Sequence, residues 1–300
     1  MPPVIPSFLG SVESVFAHGL CSKPMSKTYL QSRRDLTSAL ALFLDPDEAQ
    51  AEASRWFEEG LERDRTWLLL HGQEPITTQH RQNLEHWLER RRTGEPWAYI
   101  LGWSLFRGRR FRVTPATLIP RPETEEVLDV ALEIGRRLGV ERACDIGTGS
   151  GILAICMALE TNWAVRGSDL SPAALAVAQG NAASLDAAVD FSYGSLLDPL
   201  PDPLGLVVSN PPYVDPADRE GLQRELAFEP EMALFAPDQG LALSTELLRQ
   251  ALERRAPGCV LEIGAGQGAE LCRRARQQGW RQAEARTDFA GHDRILIATA

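Results

Sequence analysis

Asp145-Ile-Gly147-Thr-Gly149-Ser-Gly151 decides the fold of this chain. A short apolar stretch ends at Asp145, and Ile152-Leu-Ala-Ile-Cys-Met-Ala-Leu159 follows the last glycine, so the segment reads as a strand, a tight turn and the start of a helix. Glycine permits positive φ and lets a ligand approach the backbone. Unpaired N–H groups at a helix start attract an anionic group such as a carboxylate. Asp169 stands 24 residues after Asp145, near the spacing at which an acidic residue accepts from ribose hydroxyls in nucleotide-binding βαβ units. The glycines occupy alternate positions and do not meet the G-x-G-x-x-G spacing of NAD sites. Alone, the loop fits S-adenosylmethionine (SAM), NAD or a plain structural turn.

Downstream, the same alternation continues. A strand over 163–167 leads to Asp169, and Ser171 caps a helix whose first residue is Pro172. Further strands are expected near 189–193, 205–209, 259–263 and 294–299, and a helix over 124–138. Strands alternating with helices imply an α/β domain with a mostly parallel sheet covered on both faces. A second glycine loop, Glu262-Ile-Gly264-Ala-Gly266-Gln-Gly268, has Glu284 at a comparable distance, yet only 32 residues follow Gly268. That is too little chain for the remaining strands and a catalytic loop, so it reads as a late strand and its corner.

The apolar run Leu206-Val-Val-Ser209 passes directly into Asn210-Pro-Pro-Tyr213. Ligands of open α/β sheets lie beyond the C-terminal ends of the strands, so Asn210 is expected on the same rim as Gly147 and Asp169. An amide or exocyclic amino nitrogen is planar because its lone pair is delocalised. Two acceptors, the Asn210 side-chain oxygen and the Pro211 carbonyl, can each take one N–H, which fixes the nitrogen and favours its pyramidal form in the transition state. Pro211 and Pro212 have fixed φ and no N–H and stiffen the loop. The Tyr213 ring is expected to stack on the flat acceptor group. No strong base is needed, because the proton leaves after the nitrogen becomes cationic. The two loops together point to a methyltransferase acting on such a nitrogen.

Upstream, residues 27–95 read as a small helical bundle, with Leu36, Leu40 and Phe43, then Trp56, Phe57 and Leu61, then Leu84, Trp87 and Leu88 at helical spacing. Asp45-Pro46 and Gly72 to Pro75 break it into separate helices, and Thr77 or Thr78 caps the last. Residues 96–122 hold five arginines and no acidic residue. Phe106-Arg-Gly108-Arg-Arg-Phe111 within them suggests a β-hairpin linking two domains. Residues 1–26 read as a weakly ordered tail, and 123–300 as the α/β domain.

The formal net charge of -10 argues against a nucleic-acid backbone as the main ligand. Five cysteines, at 21, 144, 156, 259 and 272, include no CxxC pair and read as buried reduced thiols of a cytoplasmic protein. The five histidines show no metal-ligand spacing, and no metal is expected. No apolar run reaches the roughly 18 residues of a membrane span, and the N-terminus lacks the pattern of a secretory signal.

From Thr93 onward the chain resembles the HemK/PrmC family of protein-(glutamine-N5) methyltransferases. Gly94-Glu-Pro-Trp-Ala-Tyr-Ile-Leu-Gly102 resembles the family's domain junction, and Leu118-Ile-Pro-Arg-Pro-Glu-Thr-Glu125 its entry to the catalytic domain. Phe228-Glu-Pro230 with Ala233-Leu234 and Asp238-Gln-Gly-Leu241 resembles the segment after the catalytic loop, and Asp288-Phe-Ala-Gly-His-Asp-Arg294 the closing strand region. The resemblance implies a seven-stranded Rossmann-like SAM-dependent methyltransferase domain preceded by a helical substrate-docking bundle and a hairpin. It implies methyl transfer from SAM to the glutamine of a Gly-Gly-Gln loop in class-1 peptide-chain release factors. Gly147, Thr148, Gly149, Ser150, Gly151, Asp169 and Leu196 would bind SAM together with Asn210; Asn210, Pro211, Pro212 and Tyr213 would form the catalytic pocket. Where the family commonly has an Asp followed by a large apolar or aromatic residue near the adenine, Gly194-Ser-Leu-Leu197 stands here. The N-terminal tail is also longer than the family's.

Three other readings share parts of this pattern. A glutamine methyltransferase of a large-subunit ribosomal protein has the same catalytic loop but lacks the Pro-Glu-Thr-Glu ending at 122–125. A DNA adenine amino-methyltransferase also uses the loop, but acidic charge and the lack of a separate basic recognition domain weigh against it. A SAM-binding module without activity would not need an intact Asn210. The chain is expected to act as a monomer, without membrane or direct nucleic-acid partners.

Overall fold

The computed structural model describes residues 27–300, and the tail expected at 1–26 lies outside the described residues. The chain forms two compact units, one ending at Glu89 and one running from Arg90 to Ala300.

The first unit is helical. Helix α1 (Tyr29–Leu40) starts from Thr28, whose side chain and that of Gln31 cap each other's backbone N–H groups. Asp45 caps α2 (Pro46–Arg55), with Pro46 in the first turn, and a π turn (Trp56–Gly60) continues it. Asp64 caps α3 (Arg65–His71). Thr77 accepts from the His80 N–H at 3.1 Å at the start of α4 (Thr78–Arg92). Most residues of the apolar stripes are buried (Leu36, Leu40, Trp56, Phe57, Leu61 and Leu84), together with Tyr29, Leu68 and Ile76, while Trp87 and Leu88 are half-buried. Phe43 of the first stripe is instead exposed, as are Leu42, Leu69 and Leu70. Tyr29 meets Trp67 edge-on at 4.8 Å, and its hydroxyl is hydrogen-bonded with His80 Nδ1 at 2.8 Å.

In the second unit a single helical turn, α5 (Trp97–Leu101), ends at Gly102 in the left-handed conformation. The hairpin follows as β1 (Trp103–Phe106) and β2 (Arg109–Arg112). Arg107 and Gly108 both have positive φ, 52° and 70°, as a two-residue hairpin turn of matching twist requires. Much of the hairpin's charge is used internally. Arg107 pairs with Glu160 and Asp129, Arg109 pairs with Glu160, and Arg110 lies over the Trp103 ring.

The α/β layer comprises α6 (Pro122–Leu138), β3 (Arg142–Ile146), α7 (Ile152–Glu160), β4 (Ala164–Asp169), α8 (Pro172–Ser184), β5 (Val189–Tyr193) and β6 (Leu206–Ser209). After two short 3-10 turns come α9 (Glu231–Leu234), α10 (Ala242–Glu253), β7 (Gly258–Glu262), α11 (Gly268–Gln278), β8 (Gln282–Thr287) and β9 (Asp293–Thr299). The seven strands are ordered β5-β4-β3-β6-β7-β9-β8, parallel except for β9. Alternation within strands splits the core. Leu206, Val208, Val260, Ile295 and Ile297 face a cluster with α6 and α7. Val207, Cys259, Leu261, Leu296 and Ala298 face one with α10 and α11. Such two-sided burial explains the continuous apolar runs of the central strands.

Cys144, Cys156, Cys259 and Cys272 are buried free thiols, and Cys21 lies outside the described residues. Burial pushes the Cys144 and Cys156 thiols up to about 12. Among the described residues, no helix is long and apolar enough to cross a membrane.

Candidate active site

Strand order reverses between β3 and β6, because β4 and β5 extend to one side and β7 to the other. In open α/β sheets the ligand crevice lies beyond the strand ends at such a switch point. A cavity does open there, lined by Gly147 to Ser150 after β3, Asp169 after β4, Ser195 and Leu196 after β5, and Asn210 to Pro212 after β6. Leu118 to Arg121, Thr124, Met232 and Ala233 line it from the other side. The entry segment and the segment after the catalytic loop, far apart in sequence, therefore meet here.

The glycine loop is tied down by its own neighbours. Asp145 is buried, and its Oδ2 accepts from the Thr148 hydroxyl at 2.6 Å and the Ala154 N–H at 3.1 Å. Its Oδ1 is buried with no hydrogen-bond partner among the described residues, and Asp145 lines the cavity. Burial raises the Asp145 carboxyl to about 7, against the lowering by its two hydrogen bonds. Asp169 Oδ2 accepts from the Gly149 N–H and Oδ1 from the Ser171 N–H, both at 2.8 Å. A carboxylate has about four acceptor positions, which leaves Asp169 capacity for ribose hydroxyls. Gly147 has φ +68°, and a Cβ built on it would meet no protein atom within 4 Å; a side chain there would occupy cavity space instead. An unpartnered buried carboxylate oxygen beside a glycine cradle fits SAM, whose ammonium and sulfonium are cationic. Leu196 sits at φ +49° with its carbonyl accepting from the Ser168 hydroxyl at 2.8 Å.

Asn181, buried in α8, holds the loop from behind. Its Nδ2 donates to the Ser150 carbonyl at 2.8 Å and the Arg112 carbonyl at 3.0 Å, and its Oδ1 accepts from the Arg112 N–H at 2.8 Å. The hairpin is thus bonded to the glycine loop through one side chain.

In the Asn210–Tyr213 loop, Asn210 Nδ2 donates to Thr124 Oγ1 at 3.4 Å. Pro211 and Pro212 line the cavity beside it, but Tyr213 does not. The structure shows instead how the Tyr213 side chain and backbone are held. The Tyr213 hydroxyl donates to Glu262 Oε1 at 3.2 Å, and its carbonyl accepts from Gln267 Nε2 at 2.9 Å. Burial, reinforced by the charge of Glu262, pushes the phenol well above its ordinary range. Gly240 packs so closely that a Cβ on it would lie 2.0 Å from the Tyr213 carbonyl oxygen. The second glycine loop is the corner between β7 and α11, and through Glu262 and Gln267 it grips Tyr213.

Sequence reasoning passed over Glu262, Gln267, Asn181 and Glu229. Glu229 is buried, and it accepts from the Ile119 N–H at 3.0 Å and pairs with Arg121. The one local signal is Asn181, a poor helix former in the last turn of an otherwise alanine-rich helix.

The methyltransferase small domain family matches residues 136–228, and the PrmC N-terminal domain family matches residues 25–102. With the seven-stranded sheet and its cavity, this makes the protein a SAM-dependent methyltransferase. The chain is 40% identical over 259 residues to the release factor glutamine methyltransferase of Bordetella pertussis, covering 85% of this chain and 96% of that one. It is 41% identical over 242 residues to that of Neisseria gonorrhoeae (79% and 88% covered), and 37% identical over 252 residues to that of Deinococcus radiodurans (83% and 90%). The chain belongs to the release factor glutamine methyltransferase family. Among solved structures, the catalytic domain of human Mettl16 bound to an RNA hairpin superposes with TM-score 0.54 at 15% identity, over 77% of this chain and 84% of that one, a likeness of fold alone.

Proposed function

We propose that this enzyme transfers the methyl group of SAM to the side-chain amide nitrogen of the glutamine in the Gly-Gly-Gln loop of class-1 release factors. The observation that carries the reading is Asn210 on the cavity rim, its Nδ2 engaged by Thr124. That leaves Oδ1 as the acceptor for an incoming amide N–H. The names of the relatives support the substrate.

When bound, SAM supplies an electrophilic methyl group on a cationic sulfur. Gly147 to Ser150, Asp145, Asp169 and Leu196, which line the cavity, would hold it. Gly151, expected with them, packs instead at the start of α7 against Ile155 and Ala178. Asn210 Oδ1 and the Pro211 carbonyl would each take one N–H of the substrate amide, fixing the nitrogen and favouring the pyramidal form that frees its lone pair. As the N–CH3 bond forms the S–CH3 bond breaks, S-adenosylhomocysteine leaves, and the cationic nitrogen then gives its proton to water. Such bonds strengthen as positive charge develops on the nitrogen, so they favour the transition state over the ground state. Pro211 and Pro212 keep the carbonyl fixed, and Tyr213 anchors the loop from below. The helical unit would dock the release factor; Leu42, Leu69 and Leu70 are exposed apolar side chains on it. The enzyme works in the cytoplasm as a monomer, without membrane or direct nucleic-acid partners.

The test is labelling with methyl-labelled SAM. An unmodified release factor should be labelled, and its Gln→Ala variant in the Gly-Gly-Gln loop should not. Labelling of a ribosomal protein or of DNA in place of the release factor would overturn the reading.

A further inference from the structure

We infer that Glu262 is a positioning residue for the reaction, acting through Thr124 on the amide of Asn210 and directly on Tyr213. The inference rests on the assignment of Asn210 as the residue that orients the substrate amide.

Glu262 ends β7 and is completely buried. Burying a carboxylate is costly, and apolar residues generally stabilise a core better, so a stability role alone explains its presence poorly. Its two oxygens meet two hydroxyls. Oε2 accepts from Thr124 at 2.6 Å and Oε1 from Tyr213 at 3.2 Å. Burial pushes the Glu262 carboxyl up; the Thr124 hydrogen bond, the positive charge of Arg294 (held by Asp288 and the Ile263 carbonyl) and the Tyr213 hydrogen bond oppose that and favour its ionised form.

The consequence lies in hydrogen-bond polarity. An ionised carboxylate only accepts, and a hydroxyl has one proton. Thr124 spends its proton on Glu262, so it can only accept from Asn210. Asn210 must therefore turn Nδ2 toward Thr124, as it does at 3.4 Å, and Oδ1 toward the cavity. The opposite flip would present an N–H to the substrate N–H, a repulsive contact. Glu262 thus selects the productive amide orientation through one intervening hydroxyl. Its second arm holds the Tyr213 end of the same loop, three residues further along the chain. The elements joined are far apart in sequence: α6, the loop after β6, and the end of β7.

The test compares Glu262→Gln, Thr124→Val and Thr124→Ser with wild type and Asn210→Ala. It follows release-factor methylation, SAM affinity by calorimetry, and melting temperature. Glu262→Gln keeps the shape but places an N–H donor against one of the two hydroxyls, and Thr124→Val removes the relay. Each is expected to lower kcat about tenfold or more, the size of effect seen when one positioned polar contact is lost. SAM affinity should stay within about twofold, and KM for the release factor should change less than kcat. Thr124→Ser, which retains the hydroxyl, should recover most of the wild-type kcat. If Glu262→Gln does not fold, the valine and serine variants alone decide. The inference is overturned if Asn210→Ala is inactive while Thr124→Val turns over like wild type. A wild-type enzyme that does not methylate release factor at all would instead overturn the functional reading beneath it.

Discussion

The carboxylate of Glu229 accepts the backbone N–H of Ile119 at 3.0 Å across 110 residues of sequence. The same carboxylate pairs with Arg121. Glu229 precedes Pro230 and Met232 of the cavity wall, while Ile119 and Arg121 line the cavity from the entry segment. One buried side chain therefore pins together two walls of the site. Glu229→Ala leaves a buried N–H unpaired, which costs about 1–3 kcal/mol. Melting should fall by several degrees, at about 2–4 °C per kcal/mol for a domain of this size. Glu229→Gln, which can still accept from Ile119, should fall less. Calorimetric melting of the three proteins checks the order; equal melting temperatures would refute it.

Asp145 is expected to make SAM binding depend on pH. Burial raises its carboxyl to about 7 in the folded chain, so near neutrality a large fraction is still protonated. A cationic ligand prefers the ionised form. Affinity for SAM should therefore rise between about pH 6 and about pH 8 and level off above. For the ligand-free protein the sign is opposite. The folded state holds this proton more tightly than the unfolded chain, so Asp145 erodes stability as pH rises from about 4 to about 7. Titrations of SAM across this range should show the slope, and Asp145→Asn should flatten it and weaken binding about tenfold.

Much of this site could be read from the residues in order. The glycine loop and Asn210-Pro-Pro-Tyr213 declare themselves because a short, largely buried strand runs straight into each. β8 (Gln282–Thr287) gave no such sign and went unnoticed. It is an edge strand whose six residues include one buried side chain, Ala283, so it lacks the apolar run of the central strands. The loop at 262–268 is legible as a late corner because too little chain follows it, and it joins β7 to α11. Its work on Tyr213 was invisible because Glu262 and Tyr213 are 49 residues apart, and only the sheet order brings them together. The hydroxyl partner of Tyr213 is hidden in the sequence for the same reason: the fold, not the local pattern, brings Glu262 to it.

Gly147→Ala separates folding from cofactor binding. The backbone there has φ +68°, and a Cβ would meet no protein atom. The strain of a left-handed alanine costs about 1 kcal/mol, a loss a domain of this kind survives. The added methyl, however, takes space that the glycine leaves for the cofactor. The variant should fold, melt a few degrees lower and bind SAM at least about tenfold more weakly. Wild-type SAM affinity would show that the cradle at Gly147 is not part of the cofactor site.

Asn181 tests whether the hairpin supports the cofactor loop. Its amide makes three hydrogen bonds, one to Ser150 of the glycine loop and two to Arg112 of the hairpin. Asn181→Ala sits in α8, where alanine is the better helix former, so local helix stability should not suffer. What is lost is the bridge. The Arg112 N–H and the Ser150 carbonyl each lose this partner, at a cost of about 1–3 kcal/mol for each group left buried and unpaired. Lower melting temperature and weaker SAM binding are expected together. SAM should in turn raise the melting temperature of the variant by less than that of wild type at equal concentration, because ligand stabilisation follows the ratio of concentration to Kd. A variant that melts lower but gains the full wild-type increment from SAM would show that Asn181 supports the fold without shaping the loop.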